Sequence, residues 1–287
     1  MSVRPKKGLG QHFLTDDGVV RRIVAAVDAP PGGPVVEIGP GEGALTGELL
    51  RRYPGLVALE VDPEAVAHLR RRFPALDVRQ QDVLDADWRA LARGQGGRGE
   101  GHGASRDGPL ASPPVPHAAS GAGLTVVGNL PYYITSPILF ALLDARAVVR
   151  RAVVMVQREV ADRLAAPHGS KTYGTLSVYF ALYARTEKLL DVPAVCFRPP
   201  PAVESAVVAV DFASADPPDV PFDALRRTVR AAFGQRRKML RNSLGPLARA
   251  AGVDLPEWAA TRRPEAVPPA DFVRLARHLG AARPPGP

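Results

Sequence analysis

The chain has 287 residues, 46% of them hydrophobic, which is enough to bury an α/β core and leave chain over for a smaller second domain. The 37 Lys and Arg against 29 Asp and Glu give a formal charge of +8, a balance that suits a polyanionic partner, because cations that neutralise phosphates release counterions. The lone cysteine, Cys196, excludes an internal disulfide and a cysteine-rich zinc module. The scattered histidines have no metal-ligand spacing, no apolar run nears the roughly 18 residues of a membrane span, and no apolar stretch follows the basic N-terminus. The sequence therefore predicts a cytoplasmic protein with no metal, no membrane association and no secretory signal.

From residue 34 to 212 short β-rich runs alternate with helical patterns. Residues 34–38 read as a buried strand ending at a glycine-rich turn, and 44–53 as a helix with Leu45, Leu49 and Leu50 on one face. A second strand is predicted over 56–60, and a helix opened by Pro63 runs to Phe73. Further strands are expected over 76–83, 124–128 and 152–156, with a last, edge strand over 206–212. Strands in alternation with helices imply a parallel, doubly wound, Rossmann-like sheet.

Residues 93–123 break the pattern. They are dominated by Gly, Pro, Ser, Ala and His, have no apolar period, and read as a disordered insertion between the third and fourth strands. The Asp- and Pro-rich stretch 213–221 reads as a linker. Helices are predicted after it over 223–233, 235–251 and 269–279. The expected organisation is an α/β domain over 1–212 and a small all-helical domain over 213–287.

Two constellations carry chemistry. Glu37-Ile38-Gly39-Pro40-Gly41-Glu42-Gly43 follows a buried strand and precedes a helix, where glycines allow a tight turn and close approach of a ligand to the backbone. The next strand ends in Glu60, placed to accept bonds from two ribose hydroxyls, and the third ends near Asp82, placed to bind an adenine amine. Together these three strand ends favour an adenosyl cofactor, although a nicotinamide dinucleotide meets the same requirements. Asn129-Leu130-Pro131-Tyr132 then decides. An exocyclic amine of adenine is a poor nucleophile because its lone pair is delocalised into the ring. The Asn129 side-chain oxygen and the Leu130 carbonyl, stiffened by Pro131, can accept bonds from that amine and aim its lone pair. Tyr132 offers a face for the base. This is the machinery of an in-line methyl transfer that depends on positioning and electrostatics.

With these motifs the sequence resembles the ribosomal RNA adenine N6,N6-dimethyltransferases. The likeness begins at Lys6-Lys7-Gly8-Leu9-Gly10-Gln11-His12-Phe13-Leu14, similar to the family's Gly-Gln-Asn-Phe-Leu signature with His12 in place of the usual Asn. It continues through the motifs above to 197–205, which look like Phe-x-Pro-x-Pro-x-Val-x-Ser. It ends at 233–244, whose Phe-Gly-Gln-Arg-Arg-Lys string is similar to the small-subunit branch linked to kasugamycin sensitivity. The resemblance implies S-adenosyl-L-methionine as cofactor, held by His12, Leu14, Gly39, Gly41, Gly43, Glu60, Asp82 and Asn129. It implies dimethylation of two adjacent adenines in a hairpin near the 3′ end of small-subunit RNA, with Tyr132 and Phe197 sandwiching the extruded base. The implied partner is the immature small subunit, and the protein is expected to act as a monomer.

The segment 226–241 holds seven Lys and Arg and no acid. Arg230, Arg236, Arg237, Lys238 and Arg241 are the candidate phosphate contacts, and the helical domain is accordingly expected to bind RNA. The loop Lys171-Thr172-Tyr173-Gly174 fits either an RNA entry or a plain helix entry. Alternatives are a large-subunit methylase conferring macrolide resistance, a DNA-adenine or protein-glutamine methylase, and a non-catalytic assembly or transcription factor. The last would have lost Asn129, Tyr132 or Asp82, and all three are present.

Overall fold

The computed structural model describes residues 3–94 and 123–280. The insertion expected at 93–123 falls almost wholly outside them. The chain divides into two compact units, Met1–Arg158 with Leu189–Ala213, and Glu159–Lys188 with Ser214–Pro287. The boundary at 213 coincides with the anticipated linker. Residues 159–188 belong with the second unit, whereas the sequence reading kept them in the first.

The central sheet has seven strands in the order β4-β3-β2-β5-β6-β9-β7, six of them wholly within the first unit. These are β2 (Val35–Ile38), β3 (Val57–Glu60), β4 (Asp77–Gln80), β5 (Leu124–Asn129), β6 (Val149–Gln157), β7 (Arg185–Val192) and β9 (Ser205–Asp211). The pairs β2–β3, β3–β4, β2–β5 and β5–β6 are parallel, and β6–β9 is antiparallel. Two short strands, β1 (Phe13–Leu14) and β8 (Phe197–Arg198), form a separate antiparallel ladder that joins Leu14 to Phe197. The strand at 205–211 is not at the edge as expected. Its run Ser-Ala-Val-Val-Ala-Val is buried almost throughout, and β7 lies outside it. Sequence reading missed β7 because Arg-Thr-Glu-Lys-Leu-Leu-Asp-Val has no long apolar run and reads as a solvated loop.

Helices cover this sheet: α1 (Asp17–Ala26), α2 (Thr46–Arg52), α3 (Pro63–Arg72), α4 (Trp88–Ala92) and α5 (Thr135–Asp144). The Asp16 carboxylate caps α1 by accepting from Val19 N–H at 2.8 Å. Asp62 caps α3, with Pro63 in the first turn where no amide donor is needed. Ile23, Leu49, Leu69, Val127, Val153 and Val207 form a continuous core on one side of the sheet.

The order places β2 between β3 and β5, so connections leave the carboxyl end of β2 in one direction and those of β5 in the other. Such a switch point opens a crevice at the carboxyl edge. Close approach there depends on Gly128, paired with Ile38. A Cβ at Gly128 would lie 2.4 Å from the Ile38 carbonyl oxygen.

The second unit is helical, with α6 (Arg158–Leu164) starting at its border, then α7 (Thr175–Tyr183), α8 (Phe222–Gly234), α9 (Leu240–Ser243), α10 (Gly245–Ala250), α11 (Glu257–Ala260) and α12 (Pro269–Gly280). Its core is aromatic. Phe233 stands 5.7 Å from Phe272, and Phe222 meets Tyr183 edge-on at 5.3 Å. The helix expected over 235–251 is replaced by a turn at 235–239 and two short helices, the second with Pro246 in its first turn. No helix among the described residues is long and apolar enough to cross a membrane.

Replacing Gly128 by Ala forces a methyl group against backbone that has no room to yield. The expected cost is about 1–3 kcal/mol, read as a lower thermal midpoint by calorimetry; an unchanged midpoint would mean that β2 and β5 can separate freely.

Candidate functional site

The crevice at the switch point is a cleft enclosing about 1010 Å³ of empty space, its open mouth included. Its floor is the loop after β2, where Gly39 and Gly41 adopt φ of +62° and +56°, conformations that L side chains rarely reach. A Cβ on Gly41 would also come within 2.8 Å of the Phe13 ring. Gly43 does not line the cleft and instead packs on Phe73 and Leu69 of α3.

Glu60, at the end of β3, is buried on the cleft wall. One carboxylate oxygen accepts from Gly41 N–H at 3.1 Å, the other from Asp62 N–H at 2.9 Å. Burial pushes its pKa up against those two bonds. Asp82 lines the cleft beyond β4 and accepts from Leu84 N–H at 2.9 Å.

The residues from Gly10 to Leu14 form the opposite wall. They are held down by Asp62, whose side chain is fully buried. Asp62 accepts from Lys6 Nζ at 2.7 Å and from Gln11 Nε2 at 3.1 Å. Burial opposes ionisation of Asp62, but the Lys6 and Gln11 bonds outweigh it and hold the carboxyl below its ordinary range. Lys6 is therefore committed within the protein. Neither Asp62 nor Gln11 figured in the sequence reading of the site. The signal was there, since Asp62 precedes Pro63 at a helix start and Gln11 belongs to the N-terminal signature.

Asn129 ends β5 and lines the cleft. Its Nδ2 donates to the His12 carbonyl at 2.9 Å, and its Oδ1 is buried with no donor among the described residues. Leu130 is 1% exposed and anchored by its N–H to the Met155 carbonyl at 3.0 Å. Tyr132 shares a hydrogen bond with Ser205, and burial raises its pKa. The His12 ring stacks on Tyr132 at 5.8 Å with 25° between planes, and its Nδ1–H donates to the Pro199 carbonyl at 2.7 Å.

Of the expected residues, the structure thus brings His12, Leu14, Gly39, Gly41, Glu60, Asp82 and the segment from Asn129 to Tyr132 into one cleft. Phe197, expected to face the base, is not part of it. It is 3% exposed and lies in the core with Leu14 and Val192. The β1–β8 ladder sets this, because pairing Phe197 with Leu14 turns its side chain inward. Beside Tyr132 the neighbouring ring is that of His12.

Among the candidate RNA contacts, Arg230, Arg237, Lys238 and Arg241 are exposed. Arg236 is engaged with Glu265 at 3.2 Å and with the Lys171 carbonyl. No group of three or more His, Cys, Asp or Glu among the described residues is arranged to hold a metal ion.

Glu37, first residue of the glycine-loop motif, had no role of its own in the sequence reading. It is 1% exposed, lines the cleft, and accepts from Thr46 Oγ1 at 2.8 Å. Burial pushes its pKa up to about 8, with Glu60 adding to the rise and the Thr46 bond opposing it. Between the ordinary value of 4.5 and about 8 the folded protein binds a proton that the unfolded chain lacks. This group's stabilisation is thus full below the lower value and falls as pH rises through the upper one, by up to about 1.4 kcal/mol per pH unit. Glu37→Gln is expected to abolish that slope, so that the variant gains on the parent in thermal midpoint between pH 5 and 9 (roughly the titration window); parallel midpoint curves would contradict a protonated Glu37.

The Ribosomal RNA adenine dimethylase family model matches residues 3–277. The chain is 44% identical over 285 residues to the Ribosomal RNA small subunit methyltransferase A of Salinibacter ruber, covering 99% of this chain and 88% of that protein. It is 42% identical over 289 residues to the protein of the same name from Cupriavidus metallidurans, covering 98% and 95%. Among solved structures, a dimethyladenosine transferase from Plasmodium falciparum superposes with a TM-score of 0.71 at 21% identity, over 94% of this chain and 98% of that one. The 23S rRNA methyltransferase ErmE gives 0.59 at 26% identity, over 93% and 99%. The fold is thus the Rossmann-like methyltransferase fold with a helical C-terminal region, and on a family match that spans almost every residue, the chain belongs to the ribosomal RNA adenine dimethylases.

Proposed function

We propose that this protein transfers methyl groups from S-adenosyl-L-methionine to the N6 amines of two adjacent adenines near the 3′ end of small-subunit ribosomal RNA, during subunit assembly in the cytoplasm. One observation carries the reading: Asn129 presents a buried oxygen with no donor among the described residues, at the carboxyl edge of the sheet. A buried acceptor left unpaired costs about 1–3 kcal/mol, and an incoming amine relieves it. The relatives at 42–44% identity bear small-subunit names, which favours that substrate over a large-subunit one.

The cleft fits the cofactor. Its positive-φ glycines leave backbone open to a ligand, and Glu60 and Asp82 line it, one at the end of β3 and the other just beyond β4. Glu60 would take the ribose hydroxyls, Asp82 the adenine, and the loop from Gly39 to Gly41 with Leu14 the remainder. When bound, the group supplies an electrophilic methyl on a sulfonium.

The chain's own residues do the rest. Asn129 Oδ1 and the Leu130 carbonyl accept from the two N6 hydrogens, which draws the nitrogen lone pair out of conjugation and aims it. Pro131 limits the freedom of the Leu130 carbonyl. Tyr132 stacks the extruded base and keeps water from the amine. The nitrogen becomes acidic as it is methylated, so its proton needs no strong base. His12 serves this end of the site: its ring braces Tyr132 and its carbonyl fixes which way the Asn129 amide points.

Labelled cofactor and immature small subunits test the reading. Methylation of the paired adenines is expected from the parent protein, and a loss of about a hundredfold or more in kcat from Asn129→Ala, with S-adenosylhomocysteine still bound. Absence of adenine methylation by the parent would overturn it. His12→Ala should lower kcat by about tenfold through misplacement of Tyr132 while leaving S-adenosylhomocysteine affinity near the parent value; calorimetry showing the affinity lost instead would return His12 to the cofactor.

A further inference from the structure

Tyr132 has a neighbour that the proposed reaction leaves unused. Tyr133 follows it in the 3₁₀ turn Tyr132–Ile134 between β5 and α5, lines the same cleft, and is 56% exposed. It is the one exposed Phe, Tyr or Trp among the described residues; the others there are buried or half-buried. A lone apolar group on a plain surface needs no explanation, but this ring stands at the lip of the cleft.

One segment braces both tyrosines. His12 stacks on the Tyr132 ring at 5.8 Å. Gly10, two residues earlier, packs against Tyr133: a Cβ built on it would come 3.3 Å from the nearest ring carbon. Gly10 has a φ of +57°, so its conformation and its bare α-carbon both suit the ring's place. The two hydroxyls differ. That of Tyr132 is tied to Ser205, whereas Tyr133 makes no hydrogen bond among the described residues. Tyr133 is thus seated on backbone along one edge and open elsewhere, as a stacking platform requires. Successive residues of a 3₁₀ turn are rotated by about 120°, so the two rings diverge from α-carbons about 3.8 Å apart. The nucleoside of the cofactor has apolar neighbours without Tyr133, since Val61 and Val83, which follow Glu60 and Asp82, line the cleft as well. A base drawn out of a stack leaves the next base with a bare face, and an aromatic ring covers that face whatever the base.

We propose that Tyr133 stacks the base next to the extruded adenine, so that Tyr132 and Tyr133 together receive the target as a dinucleotide. The proposal rests on the reading of two adjacent adenines in RNA as substrate. RNA crosses the site in one direction, so Tyr133 meets the neighbour on one fixed side. That neighbour is the companion adenine for one of the two targets and the flanking nucleotide for the other. The contact is made before the methyl moves and is kept while it moves, so it belongs to binding more than to the chemical step.

Steady-state methylation of immature small subunits by the full chain, read at each adenine by mass mapping, tests it. Tyr133→Leu is expected to raise KM for the subunit about tenfold, the scale of one base–aromatic stack, with kcat, thermal midpoint and S-adenosylhomocysteine affinity near the parent values. Tyr133→Phe and Tyr133→Trp should restore the parent KM, because the ring face and not the hydroxyl makes the contact. Subunits with one of the two adenines replaced by uridine give a second arm. The weaker-stacking base should raise the parent's KM for the remaining adenine in one of the two replacements, and should leave Tyr133→Leu unaffected. A parent KM in Tyr133→Leu would overturn the proposal, as would equal sensitivity of parent and variant to the replacement. Loss of S-adenosylhomocysteine affinity in Tyr133→Leu would overturn it too, and would assign the ring to the cofactor. A parent protein that methylates no adenine would overturn the substrate reading itself, a result separate from any of these.

Discussion

Methylating an aromatic amine depends on the direction of one lone pair, and under the proposed function that direction depends on one amide. Asn129 can accept only if its oxygen faces the cleft, and its orientation is fixed from the other side by the bond from Nδ2 to the His12 carbonyl. Everything that positions His12 therefore acts on that amide. The β1–β8 ladder sets the height of the strand, the Pro199 carbonyl holds the ring, and Asp62 grips Gln11 one residue away. The sheet supplies the other half. Gly128 lets β5 lie close against Ile38, so that Asn129 emerges beside the loop that begins at Gly39.

The same segment links the cofactor loop to Asn129. Residues 10–14 wall the cleft on one side of the cofactor loop, and they carry the carbonyl that aims the acceptor. Asp62 connects them to Glu60, because its N–H bonds the Glu60 carboxylate while its side chain holds Lys6 and Gln11. Glu37 completes a group of carboxyls in different protonation environments. Deep burial favours the neutral form of Glu37, whereas cationic and amide donors favour the charged form of Asp62. Carboxyls in and behind the cleft wall can thereby avoid the repulsion that several full charges would bring.

The sheet's centre was legible because its residues obey simple patterns. Pro-Val-Val-Glu-Ile before a glycine turn, and Asp62-Pro63 before Ala65, Val66 and Leu69, state a strand end and a helix start in local chemistry alone. The place of the segment from Asn129 to Tyr132 at the end of a strand was legible because the apolar run before it is local too. What failed depended on distant partners. Nothing in Arg-Thr-Glu-Lys-Leu-Leu-Asp-Val announces a strand; β7 exists because β9 offers it an edge. Phe197 looked like a base-stacking ring until its pairing with Leu14 turned it into the core. Residues 159–188 join the second unit through long-range packing of α7 with α8 and α12, which no linker signal marks.

Charge shows the same division between what is local and what is not. A basic residue can be counted from sequence, but its role follows from whether an acid or a carbonyl reaches it. Lys6 and Arg236 both sit in basic runs that invite a phosphate, and both are tied instead to carboxylates, one to Asp62 and the other to Glu265. Each tie does structural work that a bound phosphate would undo: Lys6 fixes the wall of the cleft, and Arg236 joins three loops. A surface pair in water is worth little by itself. These two matter through what they hold, since their neighbours, Gln11 and Lys171, would otherwise keep the freedom of loop residues. The net charge of +8 is therefore a poor measure of the surface offered to a polyanion. The relevant quantity is the set of cations left exposed after such internal pairing, and that set becomes visible only once the chain has folded.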